Sequence, residues 1–544
     1  MRSCIIGMKQ TGSLKLIHHP RPAGAPAVAL AGLLLLLLAV TAAYGAPTEP
    51  SSSWVYAYFD ERRLTAEGCP VFAMTAPYDR VDLAQWLMED CAATIRETGR
   101  NLWLLHMLRR EFEPERPLTE ADLRLKYKGE WTHVGLIWVF DSAVSSRFKT
   151  DEKPRPEVLA RFLLYTGQGL NFWTSLRTTA NAPGDHKVET RPWKDRWRSS
   201  FDYGGVGYRR GNVSLFLGRD EVSWGASRDR GLLFSGTAPA MDMVKLAYRS
   251  KHVLFTSFHS QLRRGPTDPW AASVRRYVSA HRLEFLVRRL DFSIAEAAIY
   301  GGDGRDFELG YLNPLAPFYA EQWNLGDNDN ILLGGDFSYL FPGYAEVRGE
   351  LVVDDFQIDR GSEPNEMGFG LAADAVNPLY AGGSVVGASY FRIANRTYGH
   401  AVPWNRFTQE GRMMGYPDGP DGDRFEIWSS VASDRLSCGV CDQFSLRIAY
   451  SLRRQGQGRV TDSQVEPGRR TKFPSGTVET TQAVAAELSW RPSYPLLVKG
   501  TVGWSRTENA GNTWGQTHDG FEFTLNLTYN LRFAQALQGE SPDE

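Results

Sequence analysis

The segment from Phe521 to Phe533 alternates between apolar and polar side chains without a single break. A side-chain period of two is the signature of a β-strand with one apolar and one polar face. Such a strand fits a soluble sheet as well as the wall of a membrane barrel, and the two differ in what covers the apolar face. The apolar positions are Phe521, Phe523, Leu525, Leu527, Tyr529, Leu531 and Phe533.

The N-terminal residues have the layout of a secretory signal peptide. Met1 to Arg21 carries basic but no acidic side chains, Ala27 to Ala43 is apolar, and small residues follow at Ala43 and Gly45. We therefore predict a cleaved signal peptide over residues 1–45, in preference to a membrane anchor, because the apolar core is short and Pro47 follows at once. No later run is long enough for a spanning helix, so a membrane-inserted mature chain requires a closed barrel.

Composition excludes few classes of protein. The formal net charge is −2, from 61 basic and 63 acidic residues, which gives no general attraction to nucleic acid. The chain holds 16 Trp, 22 Tyr and 28 Phe, and outer-membrane barrels place such residues in girdles at the two membrane interfaces. A soluble β-sandwich or a carbohydrate-binding surface is aromatic-rich too, so composition alone does not decide between them.

The sequence divides into a helical part and a β part. Helical spacing of Leu83, Leu87 and Ile95 and a capping pattern at Thr119 predict a small helical module over residues 46–129, either periplasmic or plugging a lumen. Strand-like runs follow over 130–533, and residues 534–544 form a polar C-terminal tail. The predicted fold is mainly β, a transmembrane antiparallel up-and-down barrel of about 18 strands.

Turn lengths support a barrel. Short breaks such as Arg209–Asn212, Arg249–Lys251 and Phe341–Gly343 fit tight hairpin turns on one side of a meander. Longer polar stretches fit loops on the other side, as outer-membrane barrels require. These stretches are Asn181–Trp197, Arg263–Arg276, Tyr398–Asp423 and Gln455–Glu479.

Charged side chains alternate with apolar ones in the strand-like run from Ala345 to Asp354. Glu346, Arg348 and Glu350 share one face. In a β-sandwich this face is exposed to solvent, and in a barrel it lines the lumen and pairs across strands. The pattern alone leaves both alternatives open.

Four cysteines follow the signal peptide: Cys69, Cys91, Cys438 and Cys441. An exported protein enters an oxidising compartment, so we expect two disulfides, and sequence proximity favours Cys69–Cys91 and Cys438–Cys441. Cys438 and Cys441 form a Cys-x-x-Cys pair, but without a second pair we favour a local disulfide over metal or redox chemistry.

Several motifs together resemble the Wzi family of capsule-assembly outer-membrane proteins. They are Ala76–Arg80 before a helix, Leu217–Gly225, His281–Glu284, Tyr311–Tyr319 and Leu351–Asp355 with their spacing. The residues that carry these motifs, or that we expect to be polar lumen residues, are Arg219, Trp224, His281, Arg282, Glu284, Glu296, Asn313, Asp327, Asn328, Asn330, Asp336 and Asp354.

The resemblance implies an outer-membrane barrel of about 18 strands that helps to bind or assemble capsular or extracellular polysaccharide and is not an enzyme. Its expected partners are outer-membrane lipid, this polysaccharide and the barrel-assembly machinery. We expect a monomer without cofactor or metal. Trp193, Trp197, Trp270 and Trp404 in the long polar stretches are candidates for stacking on sugar rings.

Three alternative functions stay open: a porin or solute channel, an outer-membrane enzyme such as a lipid hydrolase, and a soluble secreted β-protein. Neither Gly-x-Ser-x-Gly nor His-Glu-x-x-His occurs, which lowers the case for a hydrolase. We interpret His281, Glu284 and Glu296 as a lumen charge network rather than an acid–base set. The acidic run Asp327–Asn330 lacks calcium-loop spacing, which favours a polar loop.

Overall fold

The computed structural model describes residues 48–49, 71–87, 107–112 and 136–537, the last range with gaps that include 182–195, 356–365, 377–383, 433–443 and 463–471. The predicted signal peptide, most of the predicted N-terminal module and all four remaining cysteines, Cys69, Cys91, Cys438 and Cys441, lie outside the described residues. Trp193 lies outside them as well.

Eighteen antiparallel strands form a closed barrel in which the last strand pairs with the first. This confirms the predicted fold class and strand number. The strands are β1 (Leu136–Lys149), β2 (Arg155–Thr166), β3 (Leu170–Ala180), β4 (Trp197–Arg210), β5 (Val213–Asp220), β6 (Met241–Arg249), β7 (Val253–Leu262), β8 (Val274–Val287), β9 (Leu290–Asp303), β10 (Asn330–Phe341), β11 (Ala345–Asp355), β12 (Glu366–Val376), β13 (Ser384–Ile393), β14 (Gly422–Ala432), β15 (Phe444–Gln455), β16 (Glu479–Ser493), β17 (Leu496–Glu508) and β18 (Thr517–Leu537).

Short turns and long loops lie at opposite ends of the barrel. Residues 211–212, 250–252 and 288–289 connect strands at one end, whereas 221–240 and 394–421 connect them at the other. In outer-membrane barrels the short turns are periplasmic and the long loops extracellular. The four long polar stretches predicted from the sequence all lie at the long-loop end.

The two faces of the strands follow the alternation of the sequence. Phe521 and Phe533 of β18 and Leu351 of β11 are exposed on the outer wall, whereas Glu346 and Glu350 are buried on the opposite face. The charged face of β11 therefore lines the lumen, where Arg348 forms ion pairs with Glu346 and with Asp374 of the neighbouring strand. Of the two alternatives for this face, the lumen is correct.

The last strand is longer than its pattern predicts. We expected it to end at Phe533, but β18 continues to Leu537, where Ala534 pairs with Val139 and Leu537 with Leu136 of β1. The strict alternation stops at Phe533 because small and polar residues follow. Backbone hydrogen bonding does not depend on side-chain polarity, so the ladder with β1 continues.

Short helices and strands complete the described structure. No helix among the described residues is long and apolar enough to cross a membrane. The helices with described bounds are α1 (Arg80–Gln85), α2 (Leu309–Leu312) and α3 (Phe318–Leu325), with 3-10 turns at Pro403–Asn405 and Ala510–Asn512, and residues 107–111 are helical as well. The short strands pair Thr48–Glu49 with Tyr78–Asp79, and Thr408–Gln409 with Arg412–Met413.

Two segments enter the lumen from opposite ends and pair there. The N-terminal strand Thr75–Ala76 pairs with Ser223–Trp224 of the β5–β6 connection, and that strand pairs with Phe234–Ser235. Trp224 packs edge-on against Phe234 and Phe258, with ring centroids 5.1 and 5.6 Å apart. A three-stranded sheet with an aromatic core therefore crosses the lumen.

Helix α1 is attached to the barrel at the short-turn end by charge. The Asp82 carboxylate accepts a hydrogen bond from Arg209 at 2.7 Å and lies 3.0 Å from an Arg249 nitrogen. Burial alone raises the pKa of Asp82, but the two guanidinium groups outweigh burial and hold this pKa below its ordinary value. The carboxylate stays charged at neutral pH and attaches α1 to strands β4 and β6.

Arg282 connects both lumen segments to the wall. Its guanidinium donates to both oxygens of Asp336, at 2.5 and 2.8 Å, and to Glu284 at 3.2 Å. Glu284 in turn accepts a hydrogen bond from the Thr75 hydroxyl, and the Trp224 ring lies 5.9 Å from the guanidinium. Arg282 is fully buried, so its charge depends on these partners.

The β18–β1 pairing predicts that the end of the last strand is required for closure. A chain that ends at Phe533 loses the pairings of Ala534 to Leu537 and exposes unpaired backbone groups at the seam, which lowers the folded fraction. A chain that ends at Leu537 keeps every described pairing of β18, and we expect it to fold as the full chain does. Heat-modifiable gel mobility of membrane fractions measures the folded fraction, and equal mobility shifts in both truncations would contradict the assignment.

Replacement of Arg282 by alanine is expected to lower the free energy of unfolding by about 3–5 kcal/mol, because it leaves two buried carboxylates unpaired. Lys499→Ala is the matched control, since Lys499 pairs with Glu487 at 2.8 Å in a half-exposed part of the wall, and such pairs contribute less than about 1 kcal/mol. Urea unfolding in lipid vesicles measures both changes. Similar losses in the two variants would refute the role assigned to Arg282.

Candidate functional site

The predicted sugar-stacking tryptophans do not form one site in the described structure. Trp197 is half-buried at the start of β4. Trp270 is buried, with the Arg276 guanidinium 5.1 Å from its ring. The Trp404 indole donates to the Gly301 carbonyl at 3.1 Å, and its own carbonyl accepts from Arg276 at 2.5 Å. Trp270 and Trp404 therefore support the loops at the rim.

The motif residues fall on both sides of the barrel wall. Trp224, Arg282, Glu284, Asp336 and Asp354 are on the lumen side. Three others, Arg219, His281 and Glu296, are on the outer face, so His281 and Glu296 do not join Glu284 in the lumen charge network that we expected. Each of these residues lies an even number of positions along its own strand from an exposed outer-wall residue, so its side chain is on the outer face as well.

Arg219 on the outer wall belongs to a rim ion-pair group. Its guanidinium donates to both oxygens of Asp242, at 2.8 and 2.6 Å, and Arg263 donates to the same carboxylate at 2.7 Å. Asp242 is more than half exposed, so this group adds little to stability and lies near the long-loop end of the outer wall.

His281 and Glu296 form a pair on the outer wall and have structural partners. Their side chains are 3.3 Å apart. The Glu296 carboxylate accepts the backbone N–H groups of Phe318 at 2.9 Å and Tyr319 at 3.2 Å, the first two residues of α3. The carboxylate thus satisfies donors that a helix N-terminus leaves free. This arrangement replaces the predicted lumen network.

The acidic run near Asp327 is paired with an arginine side chain of the same loop. In the part of the chain that the structure describes, one group of carboxylates, Glu308, Asp327 and Asp329, lies close enough together to share a metal ion. The Arg305 guanidinium donates to all three, at 2.7, 3.0 and 2.6 Å. The group therefore joins the two ends of the 304–329 loop, in agreement with its interpretation as a polar loop.

A polar cleft of about 210 Å³ opens at the long-loop rim, between the ends of β10 to β12 and three long connections. Three of its lining residues, Asn328, Asn330 and Asp354, are among the motif or lumen residues named from the sequence. The others were missed because they are distant in sequence and form no motif. The polar lining consists of Tyr319, Gln322, Asn328, Asp329, Asn330, Asp354, Glu366, Arg396, His400 and Asp462.

The backbone around the cleft is held by buried polar side chains. Asn330 donates to the Gly399 carbonyl at 3.2 Å, and Asn405 donates to the Asn328 carbonyl at 2.8 Å. Arg396 and Tyr398 both have positive φ, at 72° and 74°, and the Tyr398 N–H donates to Asp354. Residues with large side chains rarely adopt a positive φ, so the backbone of this loop is fixed in an uncommon conformation.

His400 is a neutral group in the cleft at pH 7. Burial lowers the pKa of its imidazole below the ordinary value. Its Nδ1 lies 3.0 Å from the Val402 backbone nitrogen and 3.4 Å from the Val402 carbonyl oxygen, so the ring is held against the backbone of its own loop. The cleft thus combines imidazole, amide, hydroxyl and carboxylate groups, which can donate and accept hydrogen bonds to a hydroxyl-rich ligand.

Three solved structures are similar to this chain to different degrees. The structure titled as Wzi of Escherichia coli, an outer membrane protein involved in group 1 capsule assembly and a carbohydrate-binding β-barrel, aligns with 13% identity over 89% of this chain and 99% of that chain, at a TM-score of 0.59. OccK3 of Pseudomonas aeruginosa aligns with 11% identity over 73% of this chain and 96% of its own, at 0.42. OccAB3 of Acinetobacter baumannii aligns with 9% identity over 74% and 99%, at 0.45.

The two Occ similarities are too low to support an argument about function. The comparison with curated protein sequences finds no match. The family described as capsule assembly protein Wzi matches residues 161–520, which is well over half of the chain and spans the barrel from β2 to β18. The chain therefore belongs to the Wzi family of capsule assembly proteins.

Proposed function

We propose that this outer-membrane barrel binds capsular polysaccharide at the cell surface and holds it during capsule assembly. The observation that carries the proposal is the polar cleft at the long-loop rim of a family member whose lumen is crossed by packed segments. The carbohydrate binding named for the Escherichia coli structure supports the same function. We propose a binding role and not a catalytic one.

The cleft is suited to a neutral or weakly charged sugar surface. Its amides and carboxylates come from separate connections, and Arg305 and Asp354 fix two of these connections in place. A site that is ordered before the ligand arrives spends less free energy on ordering when it binds. Many such weak contacts, repeated along a polymer, give high avidity.

The position of the cleft also fits the route of the ligand. Short turns in outer-membrane barrels face the periplasm and long loops face outward. α1 lies at the short-turn end, next to Arg209 and Arg249, and the cleft lies at the opposite end. We infer that the cleft meets polysaccharide outside the cell. The monomeric state and insertion by the barrel-assembly machinery stay predictions.

The variant Asn328→Ala/His400→Ala is expected to bind the capsular polysaccharide of the producing strain about ten-fold more weakly, since two lost hydrogen bonds each contribute about 0.5–1.5 kcal/mol. Asn324→Ala is the control, because Asn324 is an exposed amide on the same loop outside the cleft. Surface plasmon resonance measures affinity, and complementation of a deletion strain measures surface polysaccharide. Unchanged affinity in the double variant, with normal surface retention, would reject the cleft as the site.

The porin alternative predicts a different electrical behaviour. Because the inner sheet and its aromatic core cross the lumen, we expect the protein in planar bilayers to lack the steady conductance of a porin measured in the same bilayers. Replacement of residues 222–240 by a short glycine–serine linker removes two inner strands, while Asp220 and Met241 remain paired neighbours. This variant should conduct. A steady conductance of the unmodified protein would favour the channel function.

A further inference from the structure

The connection between β9 and β10, residues 304–329, folds over the outside of the barrel and is named here the outer-wall segment. On β9, Phe292 and Ile294 are exposed on the outer wall. Glu296, Ala298 and Tyr300 follow at even spacing and share that face, yet they are buried. The outer-wall segment covers them.

Aromatic rings attach the segment to the wall. Tyr311 stacks on Tyr300 with centroids 4.6 Å apart, and Tyr300 stacks on Tyr277 of β8 at 5.3 Å. Phe318 packs edge-on against Tyr311 at 5.6 Å and lies 4.4 Å from the His281 ring. These contacts bury the underside of α2 and α3 against outward-facing side chains of β8 and β9.

The tip of the segment reaches the middle of the wall. Glu296, which caps α3, is near the centre of the 14-residue strand β9, and His281 is near the centre of the 14-residue strand β8. A strand needs about 9–11 residues to cross a membrane, so the centres of these strands are at the level of the hydrocarbon core. Ile294, the next outward residue below Glu296, is 63% exposed in the lipid-facing band.

Charge is absent from the tip and concentrated at the base. Residues 309–320 contain no charged side chain. Arg305, Glu308, Asp327 and Asp329 form the ion-pair group where the segment leaves and rejoins the barrel. The free side of the tip and of α3 carries large apolar side chains and no charge on the tip: Leu309 is 74%, Leu315 80% and Trp323 77% exposed, and the exposed polar side chains there are the neutral amides Asn313 and Asn324.

We propose that the outer-wall segment inserts its uncharged tip among the acyl chains of the outer leaflet. The exposed side of the segment is continuous with the lipid-facing band at Ile294, so lipid is the partner that contacts it. The backbone N–H groups of Phe318 and Tyr319 at the start of α3 need no water partner at this depth, because they already donate to the Glu296 carboxylate.

Photo-crosslinking in the outer membrane tests this proposal. The full chain carries p-benzoylphenylalanine in place of Leu315, with two matched positions as controls. Leu527 is on the lipid-facing side of β18, and Trp514, 85% exposed, is in the β17–β18 loop at the extracellular end. We expect lipid adducts at position 315 as abundant as at 527, and far fewer at 514, when the folded band is analysed by mass spectrometry.

Two outcomes would overturn the proposal. An adduct of twice the protein mass at position 315 would show that a second copy covers the segment, and an adduct level no higher than at 514 would place the tip in water. If the variant at 315 does not reach the folded, heat-modifiable form, the same label at Trp323 gives the decision, since that side chain projects from α3.

Discussion

Hydrogen bonding of every backbone group within the membrane is the constraint on which this structure depends. Lipid offers no donors or acceptors, so the sheet has to close on itself, and β18 does so by pairing with β1 from Thr524 to Leu537. Charged side chains reinforce this seam from the lumen. Arg532 of β18 lies 3.2 Å from Asp141 of β1 and 2.9 Å from Glu111 of the N-terminal part of the chain. The N-terminal residues are therefore attached to the strand pair that closes the barrel.

The barrel wall has an inner and an outer face, and connections between strands pack against each of them. The β5–β6 connection enters the lumen and pairs with the N-terminal segment, whereas the outer-wall segment covers the opposite face. The rim cleft lies between the outer-wall segment, which contributes Tyr319 and Gln322, and the 394–421 connection above the lumen, which contributes His400. The site proposed for polysaccharide thus depends on connections on both sides of the wall, and its geometry follows from the barrel rather than from one motif.

Side-chain periodicity predicted the barrel and its faces, because alternation in Phe521–Phe533 is a local property that lipid and lumen both enforce. The same periodicity separates His281 from Glu284. Residues three positions apart on a strand point to opposite faces, so these two side chains cannot belong to one lumen network. The partners that bury His281 and Glu296 come from the later outer-wall segment, which alternation within one strand does not report. Arg396 and His400 were missed because the cleft joins distant loops. The sequence also does not report the partners of Trp270 and Trp404, which are the Arg276 guanidinium and the Gly301 carbonyl.

An experimental structure of the protein with a defined oligosaccharide from the capsule of the producing strain tests the central claim most directly. The account predicts ligand density in the rim cleft, in contact with Asn328 and His400, with the inner sheet of Thr75–Ala76 and Ser223–Trp224 unmoved. Sugar density inside the lumen, with that sheet displaced, would contradict it, since the lumen would then be a passage and the barrel a channel for the polymer.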